Sequence, residues 1–210
     1  RIGPAFLQTG PGFGGSCFPK DTRSLAFTGR TYGAIQPLVE MLIERNELRK
    51  QRLAQRIASE LAPGSVVTVL GTAFKAETDD VRESAALSII PALMEAGLEV
   101  RAHDPKARHS TLAVVPDLDW HESPYAASEG AHAVVILTEW DEYRSLDISR
   151  LASLMAGDLV FDFRNLLDER VLANNGLRLV QLGRSPVPAG SRVGGKGGGA
   201  IRKELAASPL

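Results

Sequence analysis

The chain has 210 residues, 44% of them hydrophobic and 23% charged, with a net charge of −1. That is the composition of an ordinary globular protein with room for one medium domain, or a domain and part of another; wholesale disorder is excluded. The even charge balance gives no electrostatic case for nucleic acid or an anionic membrane surface. The apolar runs at 66–70 and 133–137 are too short to cross a bilayer, and no charged start followed by an apolar core marks a signal peptide. One cysteine and four histidines allow no internal disulfide and offer no zinc-site spacing, so no metal is expected. The reading is a soluble protein of a reducing compartment, the cytoplasm. The sequence opens on Arg1-Ile2-Gly3-Pro4 without a methionine, so a preceding portion is expected.

In chain order, the first thirty or so residues read as loop, broken by glycines and prolines from Gly3 to Gly33. A long helix is predicted over 35–62. Ile35, Leu38, Val39, Leu42 and Ile43 keep helical spacing, and Leu53, Ile57 and Leu61 resume it beyond a polar middle. Such a helix, roughly 40 Å long, fits a connector between two bodies or a dimer spine, and equally a surface helix of one domain. After Pro63-Gly64 the pattern alternates. Strands are expected at 66–70, 99–103, 133–137, 159–161 and 177–182, with an amphipathic helix over 84–96. Near-continuous apolar strands separated by helices imply an α/β fold with a doubly covered parallel sheet. The ligand site of such a sheet lies beyond the strands' carboxyl ends, here the polar segments 75–83, 138–144 and 162–165. Residues 187–210, rich in Gly, Ser and Pro, read as a disordered tail.

Two phosphate-binding patterns fail on context. Gly10–Gly15 matches G-x-G-x-x-G, but no strand precedes it and no acidic strand end follows about 20 residues on. Gly190–Lys196 begins like a P-loop, but Gly197 replaces the required Ser or Thr. Cys17 carries more information. Pro19 marks a helix start, so the sulfur would lie near a positive helix end with Lys20 close by, and both favour the thiolate. Asp21, one turn on, could hold or deprotonate a water. A lone cysteine is more often a small buried hydrophobe, but the crowding of Gly, Cys, Pro, Lys and Asp into ten residues favours the reactive reading. Lys75 and Arg82 bracket the loop after the first strand, where they could grip phosphates or merely pair with Asp79 or Asp80. Arg164 carries the same two readings.

Gly12-Phe13-Gly14-Gly15-Ser16-Cys17-Phe18-Pro19-Lys20-Asp21 resembles the nucleophile motif of the UDP-glucose/GDP-mannose dehydrogenase family. Leu70–Lys75 with Thr78–Ser84 resembles that family's UDP-binding-domain signature, and Thr138–Tyr143 and Asp162–Asn165 resemble two later blocks. The resemblance covers roughly residues 1–183. It implies a long connecting helix followed by a Rossmann-like parallel-sheet UDP-binding domain. Residues 1–62 would belong to a central helical domain and 63–186 to the UDP-binding domain. It further implies UDP-glucose as substrate, NAD as cofactor and two hydride transfers; the helix 35–62, with apolar stretches at its opposite ends that suit burial against a second copy, is expected to form a homodimer. Cys17 would capture the intermediate aldehyde as a thiohemiacetal that becomes a thioester, with Asp21 assisting the water.

By the same resemblance, Phe6, Leu7, Gln8, Thr9, Gly10 and Gly14 wrap the sugar nucleotide, while Phe74, Lys75 and Arg164 contact it. Lys20 and Arg82 touch NAD, and Arg1 reaches a neighbouring subunit's site. The family's dinucleotide-binding domain would lie upstream of Arg1, so the chain alone is expected to be inactive. Phe163 stands where the family usually has glycine; a positive φ there would strain it and disturb Arg164. A non-catalytic nucleotide-sugar binding module and a same-family enzyme acting on GDP-mannose are the competing readings. Cys17 with Asp21 separates the first, since binding alone needs neither.

Overall fold

The structure, a computed structural model, describes residue 3 and residues 7–184. Arg1, Phe6 and the tail 187–210 lie outside the described residues. Helix α1 (Phe18–Thr31) occupies a segment that the sequence reading left as loop. The misleading glycines cluster before Cys17; between Phe18 and Thr28 there is none. Pro19 sits in the first turn, where its missing N–H costs nothing, and Asp21 and Arg30 complement the helix dipole at the two ends. Gly29 is tolerated near the helix end because a Cβ there would press to 2.6 Å from the Ala34 carbonyl oxygen.

Helix α2 (Pro37–Ser59) begins and ends slightly inside the predicted limits. Its two apolar stretches have different fates. Leu53, Ala54 and Ile57 are buried in the main core, whereas Leu38, Met41 and Leu42 are exposed. A spine that buries both stretches against a second copy is therefore incorrect: the far stretch is already used inside the chain.

The remainder alternates strand and helix: β1 (Val66–Leu70), α3 (Ala86–Glu95), β2 (Glu99–His103), α4 (Arg108–Leu112), β3 (Asp119–Trp120), α5 (Pro124–Ser128), β4 (Ala133–Ile136), α6 (Asp141–Arg144), α7 (Ile148–Leu154), β5 (Leu159–Asp162), α8 (Glu169–Asn174) and β6 (Arg178–Gln181). All strand pairs are parallel, in the order β3-β2-β1-β4-β5-β6. This is the doubly wound arrangement expected from the sequence. Only β3, two residues long, gave no pattern to read.

Side-chain alternation divides the core into two layers. Ala133 and Val135 point to the layer covered by α2 and α3, and Val134 and Ile136 to the opposite one, with Tyr143, Leu151 and Leu172. Each fully buried aliphatic side chain contributes about 1.5–3 kcal/mol. That burial offsets Pro91 inside α3, an interior proline that costs about 3 kcal/mol. Strand order reverses between β1 and β4, so their following loops part and leave a crevice at the carboxyl edge. Among the described residues no helix is long and apolar enough to cross a membrane.

Candidate functional site

A cleft of about 1090 Å³ opens over that crevice. Its floor comes from the three segments singled out in the sequence. Phe74 and Lys75 follow β1, Glu139 follows β4, and Arg164 follows β5. Arg164 stitches them together: Nε donates to the Leu137 carbonyl at 2.7 Å, Nη2 to the Phe74 carbonyl at 3.2 Å, and Nη1 lies 3.1 Å from a Glu139 carboxylate oxygen. Burial pushes its pKa down, with Glu139 opposing. Phe163 does not disturb this contact. Its φ is not positive, and its buried ring packs edge-on against Phe161 at 6.0 Å. Asn165 holds the left-handed conformation instead, at φ 54°, which asparagine tolerates.

The opposite wall is the glycine-rich loop that leads into α1. It approaches the sheet's loops at backbone distance, which explains two of its glycines. A Cβ on Gly14 would lie 2.5 Å from the Glu83 carbonyl oxygen, and one on Gly15 would lie 2.8 Å from the Phe74 ring. Gly15, at φ 86°, donates its N–H to the Arg82 carbonyl at 2.8 Å. Cys17 caps α1 with its thiol exposed and 3.6 Å from the Ser16 hydroxyl. Its carbonyl accepts the Asp21 N–H at 2.8 Å.

The cleft thus gathers Gln8, Gly10, Gly14, Cys17, Phe74, Lys75 and Arg164 from the sequence reading. Leu7, Thr9, Lys20, Asp21 and Arg82 do not line it. Lys20 and Asp21 pair with each other at 3.3 Å on the exposed first turn of α1. Arg82 grips Asp80 with two nitrogens, at 2.9 and 2.7 Å, so the internal pairing weighed from the sequence is realised. The Arg82 bond holds the Asp80 carboxyl below its usual range. Lys75 makes no ion pair among the described residues; its ammonium sits 5.5 Å from the Phe74 ring centroid.

Sequence reasoning missed the wall contributed by α2. Arg45, Arg49 and Arg52 all line the cleft. Their i, i+4, i+7 spacing puts them on one helix face, and like charges at i, i+4 repel by about 0.2–0.5 kcal/mol. That unpaired row was the available signal. With Lys75 and Arg164 it sets five cations against the single carboxylate of Glu139 in the cleft lining, an environment for an anionic ligand.

A dinucleotide does not fit the sheet's own first turn. In a Rossmann site the amides after β1 face the pyrophosphate. Here Thr72 and Ala73 donate to the buried Asp104 carboxylate at 2.8 and 3.0 Å. Asp104 also accepts from Trp140 Nε1 at 3.1 Å, and from the Lys106 and Ala107 amides at 3.0 and 2.9 Å. The chain fills this anion position itself.

Fold and cleft define a Rossmann-type α/β domain with a cysteine-bearing helical segment docked on it. Two family descriptions match the sequence. They are the central domain of the UDP-glucose/GDP-mannose dehydrogenase family over residues 1–48 and its UDP binding domain over residues 68–169. The chain belongs to the UDP-glucose/GDP-mannose dehydrogenase family, a family of oxidoreductases. It is 40% identical over 187 residues to the UDP-glucose 6-dehydrogenase of Rhizobium meliloti, covering 88% of this chain and 43% of that protein. With the Pseudomonas aeruginosa UDP-glucose 6-dehydrogenase it shares 37% identity over 193 residues, covering 88% and 43%. The UDP-glucose dehydrogenase structure from Pyrobaculum islandicum superposes with a TM-score of 0.69 at 35% identity, covering 81% of this chain and 39% of that one. The chain therefore spans about two fifths of the length of the relatives it matches.

Proposed function

We propose that this chain supplies the sugar-nucleotide site and the nucleophile of an NAD-dependent UDP-glucose 6-dehydrogenase, which oxidises the C6 hydroxyl to a carboxylate. One observation carries this reading: a single cleft presents Cys17 on one wall and Lys75 and Arg164 on the other. Residues 1–62 form part of the central helical domain and 63–186 the UDP-binding domain. The backbone of Leu7–Gly10 and Gly14 follows the sugar nucleotide, Lys75 takes a phosphate, and Phe74 and Arg164 border the sugar. Lys20 and Arg82, both exposed at the cysteine side, face a dinucleotide held outside this chain. That cofactor supplies the hydride acceptor for each of the two oxidations.

The chain's own chemistry lies at Cys17. Its thiol adds across the C6 aldehyde, the sulfur bonding to carbon and the proton passing to oxygen, to give a thiohemiacetal. Loss of the C6 hydride and the hydroxyl proton leaves a thioester. A water oriented by Asp21 then attacks the carbonyl. The C–S bond breaks, and the carboxylate and the Cys17 thiol are released as one proton passes to Asp21.

The test is titration calorimetry of the 210-residue chain with UDP. Lys75→Ala should weaken binding by roughly ten- to a hundredfold, because a charged hydrogen bond is worth about 1.5–3 kcal/mol. Equal affinities in the two proteins would remove Lys75 from the site and leave it a solvated loop residue.

The exposed stretch of α2 carries the homodimer of this reading. Leu38 and Met41 of α2, Phe27 of α1, and Tyr32 and Ile35 between the two helices are all exposed apolar side chains. Sedimentation equilibrium is expected to show a dimer that Leu38→Glu disperses. A monomer at high concentration in the parent chain, or an unchanged dimer in the variant, would move the interface elsewhere.

A further inference from the structure

The polar band in the middle of α2 has a role that neither a connector nor a dimer spine explains. Asn46 is 7% exposed and makes a two-way clamp on one residue of the cysteine loop. The Phe13 N–H donates to its Oδ1 at 2.9 Å, and its Nδ2 donates to the Phe13 carbonyl at 3.1 Å. A primary amide, with one acceptor and two donors on a rigid plane, can satisfy both backbone groups of a residue at once. Gly12 is shaped to the same contact, since a Cβ there would lie 2.9 Å from Asn46 Oδ1. One turn on, Lys50 is almost completely buried; its ammonium donates to Glu47 at 2.9 Å and to the Glu83 carbonyl at 3.4 Å. Arg49 donates to the Gly10 carbonyl at 2.9 Å. The clamp reaches the cysteine through aromatic packing: the Phe13 ring lies edge-on to Phe18 with centroids 4.6 Å apart, and Phe18 directly follows Cys17.

We infer that Asn46 is a positioning residue that holds the Cys17 loop closed over the sugar-nucleotide cleft, acting through Phe13. This rests on the reading of the cleft as a UDP site. Without the amide, both Phe13 backbone groups lose their partner, and the loop trades its docked position for water. Two lost hydrogen bonds correspond to roughly a ten- to hundredfold shift from docked toward open. The Lys75 and Arg164 contacts lie on the opposite wall and survive an open loop, whereas contacts from the loop backbone at Gly10 and Gly14 need it docked.

The test exploits Cys17 as the chain's one cysteine, so iodoacetamide followed by mass spectrometry reads a single thiol. Alkylation is timed with and without saturating UDP, and UDP affinity is measured by calorimetry in parallel. In the parent chain UDP is expected to slow alkylation. At saturating UDP, Asn46→Ala should lose most of that protection, with the open-loop rate rising roughly tenfold or more, while UDP affinity falls by no more than about tenfold because Lys75 and Arg164 are untouched. Asn46→Asp retains the acceptor for the Phe13 N–H while facing its carbonyl with a carboxylate. It should fall between the two at neutral pH and recover protection on acidification, when a protonated carboxyl can donate again. A merely structural role would not give that pH-dependent rescue. Full protection in both variants at undiminished UDP affinity would overturn the positioning role and leave the UDP site standing. Absence of UDP binding by the parent chain would overturn the site itself, and with it this inference.

Discussion

In a dehydrogenase carrying this chain, Cys17→Ser is expected to lower turnover by several orders of magnitude while UDP-glucose still binds. A serine hydroxyl is a far poorer nucleophile at neutral pH than a cysteine with even a small thiolate fraction. On the role proposed for Asp21, a water oriented beside the larger sulfur would also hydrolyse an ester at the serine slowly. Binding should survive, since Cys17 is one residue on one wall of a cleft whose cations stand elsewhere, at Lys75, Arg164 and the arginines of α2. Mass spectrometry of the variant after incubation with UDP-glucose and NAD should find an adduct retained on residue 17. Near-normal turnover would sink covalent catalysis at this position and leave Cys17 with a packing role. Iodoacetamide should likewise inactivate the parent enzyme, with substrate protecting it.

Gly71→Ala is expected to cost heavily in stability. Gly71 ends β1 at φ 93°, a conformation that side chains rarely adopt. A Cβ at this position would also overlap the side chain of Thr138. Thr138 cannot step aside cheaply: it is fully buried, and its hydroxyl donates to the Ala73 carbonyl at 2.6 Å. Backbone strain of about 1–3 kcal/mol adds to overpacking of about 1–3 kcal/mol. Urea unfolding should therefore show a loss of about 3 kcal/mol or more, or an insoluble product. A loss under about 1 kcal/mol would mean that the crossover at the strand-order reversal yields to a methyl group without strain.

The α/β half was legible because its signals are local and repeated. Val66–Leu70, Ala133–Leu137 and Leu159–Phe161 are continuous apolar runs that make sense only when both faces are covered, and each became a central strand. From the parallel sheet, the carboxyl-edge loops followed as the place to look, and Phe74, Lys75 and Arg164 meet there. Helix α1 was hidden by glycines that serve the close approach of the loop before it rather than flexibility. The wall formed by α2 was hidden for another reason. Asn46 and Lys50 look like a solvated face in sequence, yet they are buried because the cysteine loop folds over them. That contact joins residues 33 apart, from Phe13 to Asn46 and from Lys50 to Glu83, and no periodicity reports it. Arg82 shows the converse: its partner Asp80 is two residues away, so the pairing was one of the two readings that the local sequence offered.

Helix α2 is rooted at both ends of its useful length. Leu53, Ala54 and Ile57 sit in the sheet's core, and Asn46 and Lys50 grip the cysteine loop and the Glu83 carbonyl. Arg23 of α1 adds a two-pronged bond to Glu83 at 2.9 and 2.8 Å, and keeps the Glu83 carboxyl below its usual range. One continuous helix therefore serves as beam for both walls of the cleft, with no glycine within it to act as a hinge. The two walls cannot swing apart by rotation about a linker without unwinding that beam or stripping these contacts. The separation between the Cys17 sulfur and the cations Lys75 and Arg164 of the opposite wall is thus a fixed gauge. Any closure over a ligand in this cleft must then come from outside these two walls.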